Sequence, residues 1–319
     1  MRPKVVMTAL AVLVVALATV AGANAASTKK ETLPGKGVKF GISFPGLNSP
    51  GAVGVLEGMK CYSSRVGGTL RTADPGQDIN KQISQVTDML NAGVKAIYIT
   101  PFSPSVMKTL VPKVKAKKAV IIESNSPTVA MGSVHFFLGQ PGKLAAQYFK
   151  KSVKGQVHAV VIGGPPIPFA KALENGFTNT AKSLGIDVLE VAHAQAFNTS
   201  TGRTIAGDLL TKYPNVNAVF AIESSLGTGA GLAVKARNSD AQVINQGGTP
   251  ADISAVKSGT LAGTVDTNLA EHGFAAAKMG ASLLAKKKTS TTVAIPTTLY
   301  SKSNVSKWRS PKARCSALG

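Results

Sequence analysis

The sequence predicts an α/β protein with parallel sheets arranged as two similar lobes. Short apolar runs alternate with segments of helical period along nearly the whole chain, the pattern of right-handed βαβ units. The pattern restarts once, after Gly142. At 319 residues the chain is long enough for two core-bearing domains. A single continued sheet would produce the same alternation, so the alternation is compatible with one lobe or two.

In the first half, strands are expected at 38–44, 69–73, 96–100 and 120–123, with helices at 49–66, 78–92 and 103–116 between or after them. The helix at 78–92 carries Ile79, Ile83, Val86, Met89 and Leu90 at helical spacing, and Gly93 follows as a stop. In the second half, strands are expected at 158–162, 188–192, 218–222, 242–245 and 264–266. The matching helices are 143–153, 169–184, 201–212, 227–236, 250–258 and 272–286, and a last extended run covers 293–298.

The first residues read as an export signal. Arg2 and Lys4 precede an uncharged apolar run over 5–21, and Ala23-Asn24-Ala25 ends it with small residues. Cleavage after Ala25 is expected, against the alternative of a retained membrane anchor. No cysteine follows the cut, so lipid attachment there has no support. Beyond Lys30 no apolar run is long enough to span a bilayer.

With 36 Lys and Arg against 15 Asp and Glu, the formal charge is +21. Export removes nucleic acid as a partner, which leaves attraction to an anionic membrane or cell-wall surface. The lysines are scattered near expected helix ends, so a solvated face is the plainer account. The two cysteines, Cys61 and Cys315, would meet an oxidising compartment. The apolar stripe Ala52, Val55, Leu56, Met59, Tyr62 and Val66 places Cys61 off the buried face of its helix. There the C-terminal tail can reach it, and a tail-locking disulfide is expected.

At Phe40-Gly41-Ile42-Ser43, followed by Gly46-Leu47-Asn48-Ser49-Pro50, the chain resembles the ribose/galactose-type periplasmic binding proteins. The likeness continues in Asp74-Pro75-Gly76-Gln77-Asp78 and in the stretch Asn91 to Pro101. It resumes in Glu174-Asn175-Gly176-Phe177, Phe197-Asn198-Thr199, the stretch Tyr213 to Ala221, Gly248-Thr249-Pro250 and the stretch Ser258 to Val265. Each piece is weak; their order and spacing, covering about 38–305, are strong. The resemblance implies two Rossmann-like lobes joined by a three-segment hinge near 138–142, 266–268 and 294–296. The N-terminal lobe would be 36–138 plus 268–294. The C-terminal lobe and tail would be 142–266 plus 297–319.

The resemblance further implies a non-enzymatic solute-binding component of an ABC importer, working as a monomer with membrane permease subunits. It would hold a sugar or polyol in the interlobe cleft. A sensor of the same fold feeding a receptor or kinase, or a binder of a non-sugar solute, is the alternative. Ligands bind outside the carboxyl ends of parallel strands, which selects the loop residues Asn48, Ser49, Asp74, Phe102, Ser124 and Asn125 on the first lobe. On the second the same rule selects Phe169, Phe197, Asn198, Glu223, Ser224, Gln246, Asp266, Thr267 and Asn268. Carboxylates and amides give fixed hydrogen bonds to hydroxyls, and planar rings stack on sugar faces. Ser49 is equally a helix cap and Asp74 equally a turn residue.

Departures from the family pattern bear on the ligand. Gly51 and Ala52 stand where ribose-type members carry an aromatic pair, Ser124-Asn125 replaces their Asp-Arg, Leu173 replaces an arginine, and Gly247 replaces an aspartate. Glu223 stands where Asn is usual, so a larger glycan, a polyol or a cationic ligand remains open. Gly227-x-Gly229-x-Gly231 is not the dinucleotide fingerprint, and no Gly-x-Ser-x-Gly elbow is present. His135, His158, His193 and His272 lack metal-ligand spacing, so neither cofactor nor metal is expected. Trp308 reads as a packing anchor. A helix-turn-helix regulator, which would share this core, would need its DNA-binding domain where the export signal lies.

Overall fold

The structure, a computed structural model, describes residues 32–47, 49–76, 78–124, 130–166 and 168–317. The chain divides into Met1–Thr32 and Leu33–Gly319. The expected export signal and its cleavage point fall in the first unit, outside the described residues.

Leu33–Gly319 contains two six-stranded sheets, each wrapped by helices. The first sheet has the order β11-β5-β4-β3-β1-β2. Its strands are β1 (Lys39–Ser43), β2 (Thr69–Ala73), β3 (Ala96–Ile99), β4 (Val120–Ser124), β5 (Gly132–His135) and β11 (Thr292–Ala294), all parallel. The second sheet has the order β12-β10-β9-β8-β6-β7. It is built from β6 (His158–Gly163), β7 (Asp187–His193), β8 (Ala218–Ala221), β9 (Gln242–Gly247), β10 (Gly263–Asp266) and β12 (Thr298–Ser301). Only β12 runs antiparallel, against β10. Central strands such as β3 and β8 are buried at every position, as parallel strands covered on both faces must be.

The first sheet is flanked by α1 (Pro50–Arg65), α2 (Ile79–Asn91), α3 (Pro104–Ala116) and α9 (Leu269–Leu284). The second carries α4 (Gln140–Ser152), α5 (Pro168–Ser183), α6 (Thr199–Lys212), α7 (Ser224–Ala236) and α8 (Pro250–Ser258). Helix α1 lies against α9 at backbone distance. A Cβ added at Gly58 would collide with the Ala270 carbonyl, and one at Gly273 with the Val55 carbonyl. Small residues at these positions let the two helices share one layer over the sheet.

Three segments cross between the sheets: 136–139 from β5 to α4, 267–268 from β10 to α9, and 295–297 from β11 to β12. They lie within a few residues of the hinge read from the sequence. The extended run expected over 293–298 is two strands, one in each sheet, broken around Ile295 and Pro296. The tail also divides. Strand β12 and the 3-10 turn Val305–Lys307 stay with the second lobe, whereas α10 (Pro311–Ala317) packs on α1 and α9 of the first. The tail was expected to belong wholly to the second lobe; the Cys61–Cys315 disulfide draws its end across.

Beneath the first crossing, His272 is fully buried and its Nε2 lies 2.7 Å from the Val134 carbonyl and 3.3 Å from the Tyr98 hydroxyl. Its Nδ1 has no hydrogen-bond partner. Burial pushes the imidazole pKa down to about 4, with the Val134 carbonyl opposing and His135 assisting. The unfolded chain takes up this proton near 6.5. The unfolded state therefore binds more protons between those values, and stability falls as pH drops from about 6.5 toward about 4. Urea midpoints measured from pH 7 to 5 should decline, and His272→Gln should flatten that slope. An unchanged slope would refute the assignment.

Candidate functional site between the lobes

Parallel strands present all their following loops at one sheet edge. The crossings leave β5, β10 and β11 from that same edge. Both sets of loops therefore border the gap that the crossings span.

On the first lobe, Ser49 caps α1, accepting from the Ala52 amide at 3.3 Å. The Asp74 carboxylate accepts from the amides of Gly46 (3.0 Å), Leu47 (2.9 Å) and Gly76 (2.9 Å). Burial pushes its pKa up, but those three amides and Lys81 outweigh it and hold the carboxyl below its ordinary value. Asp74 is thus the staple of the loop after β1. Gln82 does the same for the loop after β3, donating to the Thr100 carbonyl at 3.0 Å and accepting from the Phe102 amide at 3.3 Å. The Phe102 ring is half-buried and Ser124 is buried at the end of β4. Asn48 and Asn125 lie outside the described residues. Ala52 is buried, and Gly51 faces Leu269 at the start of α9.

On the second lobe, Phe197 is 41% exposed. Its ring stands over Gly164, where an added Cβ would lie 2.8 Å from it, and only glycine permits that approach. Asn198 caps α6, accepting from the Thr201 amide at 2.8 Å. Glu223 caps α7, accepting from the amides of Ser225 (2.7 Å) and Leu226 (3.2 Å). Burial nevertheless pushes its pKa up; the two amides oppose the shift and Asp252 adds to it. Phe169 is half-buried, edge-on to Phe136 at 6.5 Å. Gln246 donates to the Thr267 hydroxyl at 3.3 Å.

Asp252 is completely buried and occupies the space under Gly247. It accepts from Asn245 (2.7 Å), Ser224 (2.6 Å) and the Thr249 amide (2.9 Å). A Cβ at Gly247 would collide with this carboxylate and with Ser224. The buried network thus fills the space beside Gly247, and Ser224 is committed to it.

Asp266 and Asn268 are held by the tail. Arg314 donates to the Asp266 carboxylate, to the Asn268 side-chain oxygen Oδ1 and, through Nε at 2.8 Å, to the Arg309 backbone carbonyl. Trp308 donates to Asp266 at 3.1 Å and lies under the Arg314 guanidinium. Burial still pushes the Asp266 pKa up, against Arg314 and the Asn268 amide. Two cavities flank this ion pair. One of about 100 Å³ reaches from Val53 and Gly54 on α1 to Gly247 and Thr249. The other, of about 270 Å³, lies on the tail side between Tyr300, Lys307 and Arg309.

Sequence reasoning missed three features of this region. Glu174 is buried, accepting from the Gly164 amide at 3.1 Å beside His193 at 3.4 Å, and so fixes the loop under Phe197. Phe137, in the first crossing, is 66% exposed; the Phe136-Phe137 pair in a hinge was the available signal. Arg314 had none, because its partners lie more than forty residues away. Among the described residues no group of three or more His, Cys, Asp or Glu is placed to hold a metal. None of their helices is long and apolar enough to cross a membrane.

The sequence model of the periplasmic binding protein domain matches residues 40–288. The chain belongs to this family. The binding protein is 26% identical over 264 residues to the ribose import binding protein RbsB of Bacillus subtilis, covering 81% of this chain and 85% of that one. It is 28% identical over 265 residues to RbsB of Escherichia coli K12, covering 81% and 86%. Among solved structures it superposes on a periplasmic solute binding protein from Actinobacillus succinogenes with bound D-allose. That match has a TM-score of 0.78 at 17% identity, covering 85% of this chain and all of that one. The arabinose binding protein AraP from Geobacillus stearothermophilus gives 0.75 at 17% identity, with coverage of 86% and 100%. At such identity the likeness is one of fold: two mostly parallel sheets flanked by helices in two lobes.

Proposed function

We propose that this binding protein is exported, its signal cleaved near Ala25, and that as a monomer it captures a sugar or polyol for an ABC permease. The observation that carries the reading is the set of strand-end loops from two sheets facing one hinge, with an exposed ring at Phe197 and a carboxyl at Glu223. Its relatives are named for ribose import, and a protein of the same fold holds D-allose. Phe197, Phe102 and Phe137 supply ring faces for stacking, and Glu223, Ser124, Gln246 and Asn125 supply the polar contacts. Ser49, Asp74, Asp266 and Asn268 would act mainly by shaping the loops that bear these groups. Ligand bridging the lobes excludes water and stabilises the closed form, which the permease then recognises.

A thermal-shift screen over sugars, polyols, amino acids and nucleosides tests this, since a ligand of the folded form raises its melting temperature. A sugar or polyol should give the shift. Phe197→Ala should weaken its binding about three- to tenfold, the range for loss of one aromatic contact, while leaving the unliganded melting temperature unchanged. A shift with amino acids alone defeats the carbohydrate assignment.

A further inference from the structure

One edge of the first sheet carries seven lysines. Strands β1, β3 and β4 are parallel neighbours, so their entry residues lie along one edge of the first sheet, opposite the loops of the cleft. Lys39 opens β1, Lys95 precedes β3, and Lys117 and Lys118 precede β4. The run 286–288, three lysines, follows α9 and leads to β11 at the same edge. All of these lysines are exposed. Among the described residues, the last helical turns and strand entries of this lobe contain one carboxylate, Asp88.

Neutralising helix dipoles does not account for this concentration. Helices of the second lobe also end in lysines, but there carboxylates are interleaved: Asp187 pairs with His158 at 3.2 Å and Glu190 with Lys212 at 2.7 Å. Two lysines of the first lobe moreover occupy left-handed backbone after their helices, Lys118 at φ 49° and Lys286 at φ 51°. Glycine fills the comparable positions at Gly93, Gly185 and Gly259, and glycine is the residue that conformation favours. At both sites a charge is kept where a neutral residue would fit with less strain.

We infer that this basic pole of the first lobe is a docking surface for an anionic phospholipid bilayer. The charges are ammonium groups on flexible stems rather than guanidinium forks, which suits a diffuse field of phosphodiester headgroups over one shaped phosphate ligand. Neither cavity lies here, and the exposed large apolar side chains Val53, Ile79, Phe137, Phe197 and Leu232 are all elsewhere. Adsorption is therefore electrostatic and superficial, without insertion. The cleft lies at the opposite end of the strands, so an adsorbed molecule keeps its cleft open to solute while confined to the membrane surface.

Co-sedimentation of the chain from Ala26 onward with vesicles tests the inference. Binding is expected to phosphatidylglycerol-containing vesicles, not to phosphatidylcholine alone, with release at high salt. The variant Lys39→Gln/Lys117→Gln/Lys118→Gly/Lys287→Gln should bind on the order of several hundredfold more weakly. Removing four charges from the second lobe (Lys150→Gln/Lys154→Gln/Lys182→Gln/Lys235→Gln) should change binding by less than about twofold. Lys118→Gly alone separates docking from folding: its melting temperature should hold or rise while vesicle binding falls. Equal losses from the two quadruple variants, no preference for phosphatidylglycerol, or binding to soluble polyphosphate in place of vesicles would each overturn it.

Discussion

Removing the Cys61–Cys315 disulfide should lower the melting temperature by about 5–15 °C. The bridge spans 254 residues with a Cα–Cα distance of 5.9 Å. Closing so long a loop restricts the unfolded chain heavily, and losing a native disulfide costs about 2–5 kcal/mol. For a chain of this size each kcal/mol shifts the transition by about 2–4 °C. Cys61 is buried beneath the tail and Cys315 packs against the same core cluster. The Cys61→Ser/Cys315→Ser variant should therefore lose the contacts of α10 with α1 and α9 as well. Wild-type protein in reductant should melt with the variant; a transition unmoved by either treatment would show that the tail contributes nothing to the fold.

Arg314→Ala should cost about 3–5 kcal/mol, the range for breaking a buried ion pair by removing one partner. The Asp266 side chain is 6% exposed and that of Arg314 15%. Without the guanidinium, Asp266 keeps Trp308 and the Asn268 amide but loses its counter-charge. Its folded pKa already lies above the ordinary value because of burial, and removing Arg314 raises it further. The folded state then binds the extra proton, so stability falls as pH rises through that window. Urea midpoints should show a larger deficit at pH 7 than at pH 5, and Asp266→Asn should rescue much of it. A deficit independent of pH and unrelieved by Asp266→Asn would mean that Arg314 acts through packing alone. Arg314 neighbours Cys315, so this substitution and disulfide removal should together cost less than their sum.

The alternating core was legible because each buried strand and each amphipathic helix carries its own local pattern. Strand β5 was not, since Gly132–His135 offers one large apolar residue, Val134, and owes its existence to β4 and β11 on either side. The late run around 293–298 looked like one strand because its two partners, β5 and β10, are distant in sequence. Pro296 was the hint that pairing breaks there. At the site, loop positions followed from strand ends, but duties did not. Ser49 and Asp74 had turn and cap roles visible in sequence, whereas Glu223 is an unusual cap residue and its hydrogen bonds needed the fold. The tail's hold on Asp266 depends on residues brought together across 42 and 48 positions, which no local pattern encodes.

The bond between residues 61 and 315 also closes that stretch of polypeptide into a covalent ring. All three segments that pass between the lobes lie inside it. A protease that nicks a cleft loop between residues 61 and 315 consequently releases nothing: both fragments stay on one molecule, and the halves can re-dock without having to find each other by diffusion. Exposed loops near a solute gate are where such nicks fall, so the ring protects the protein against damage at the place where it must stay open.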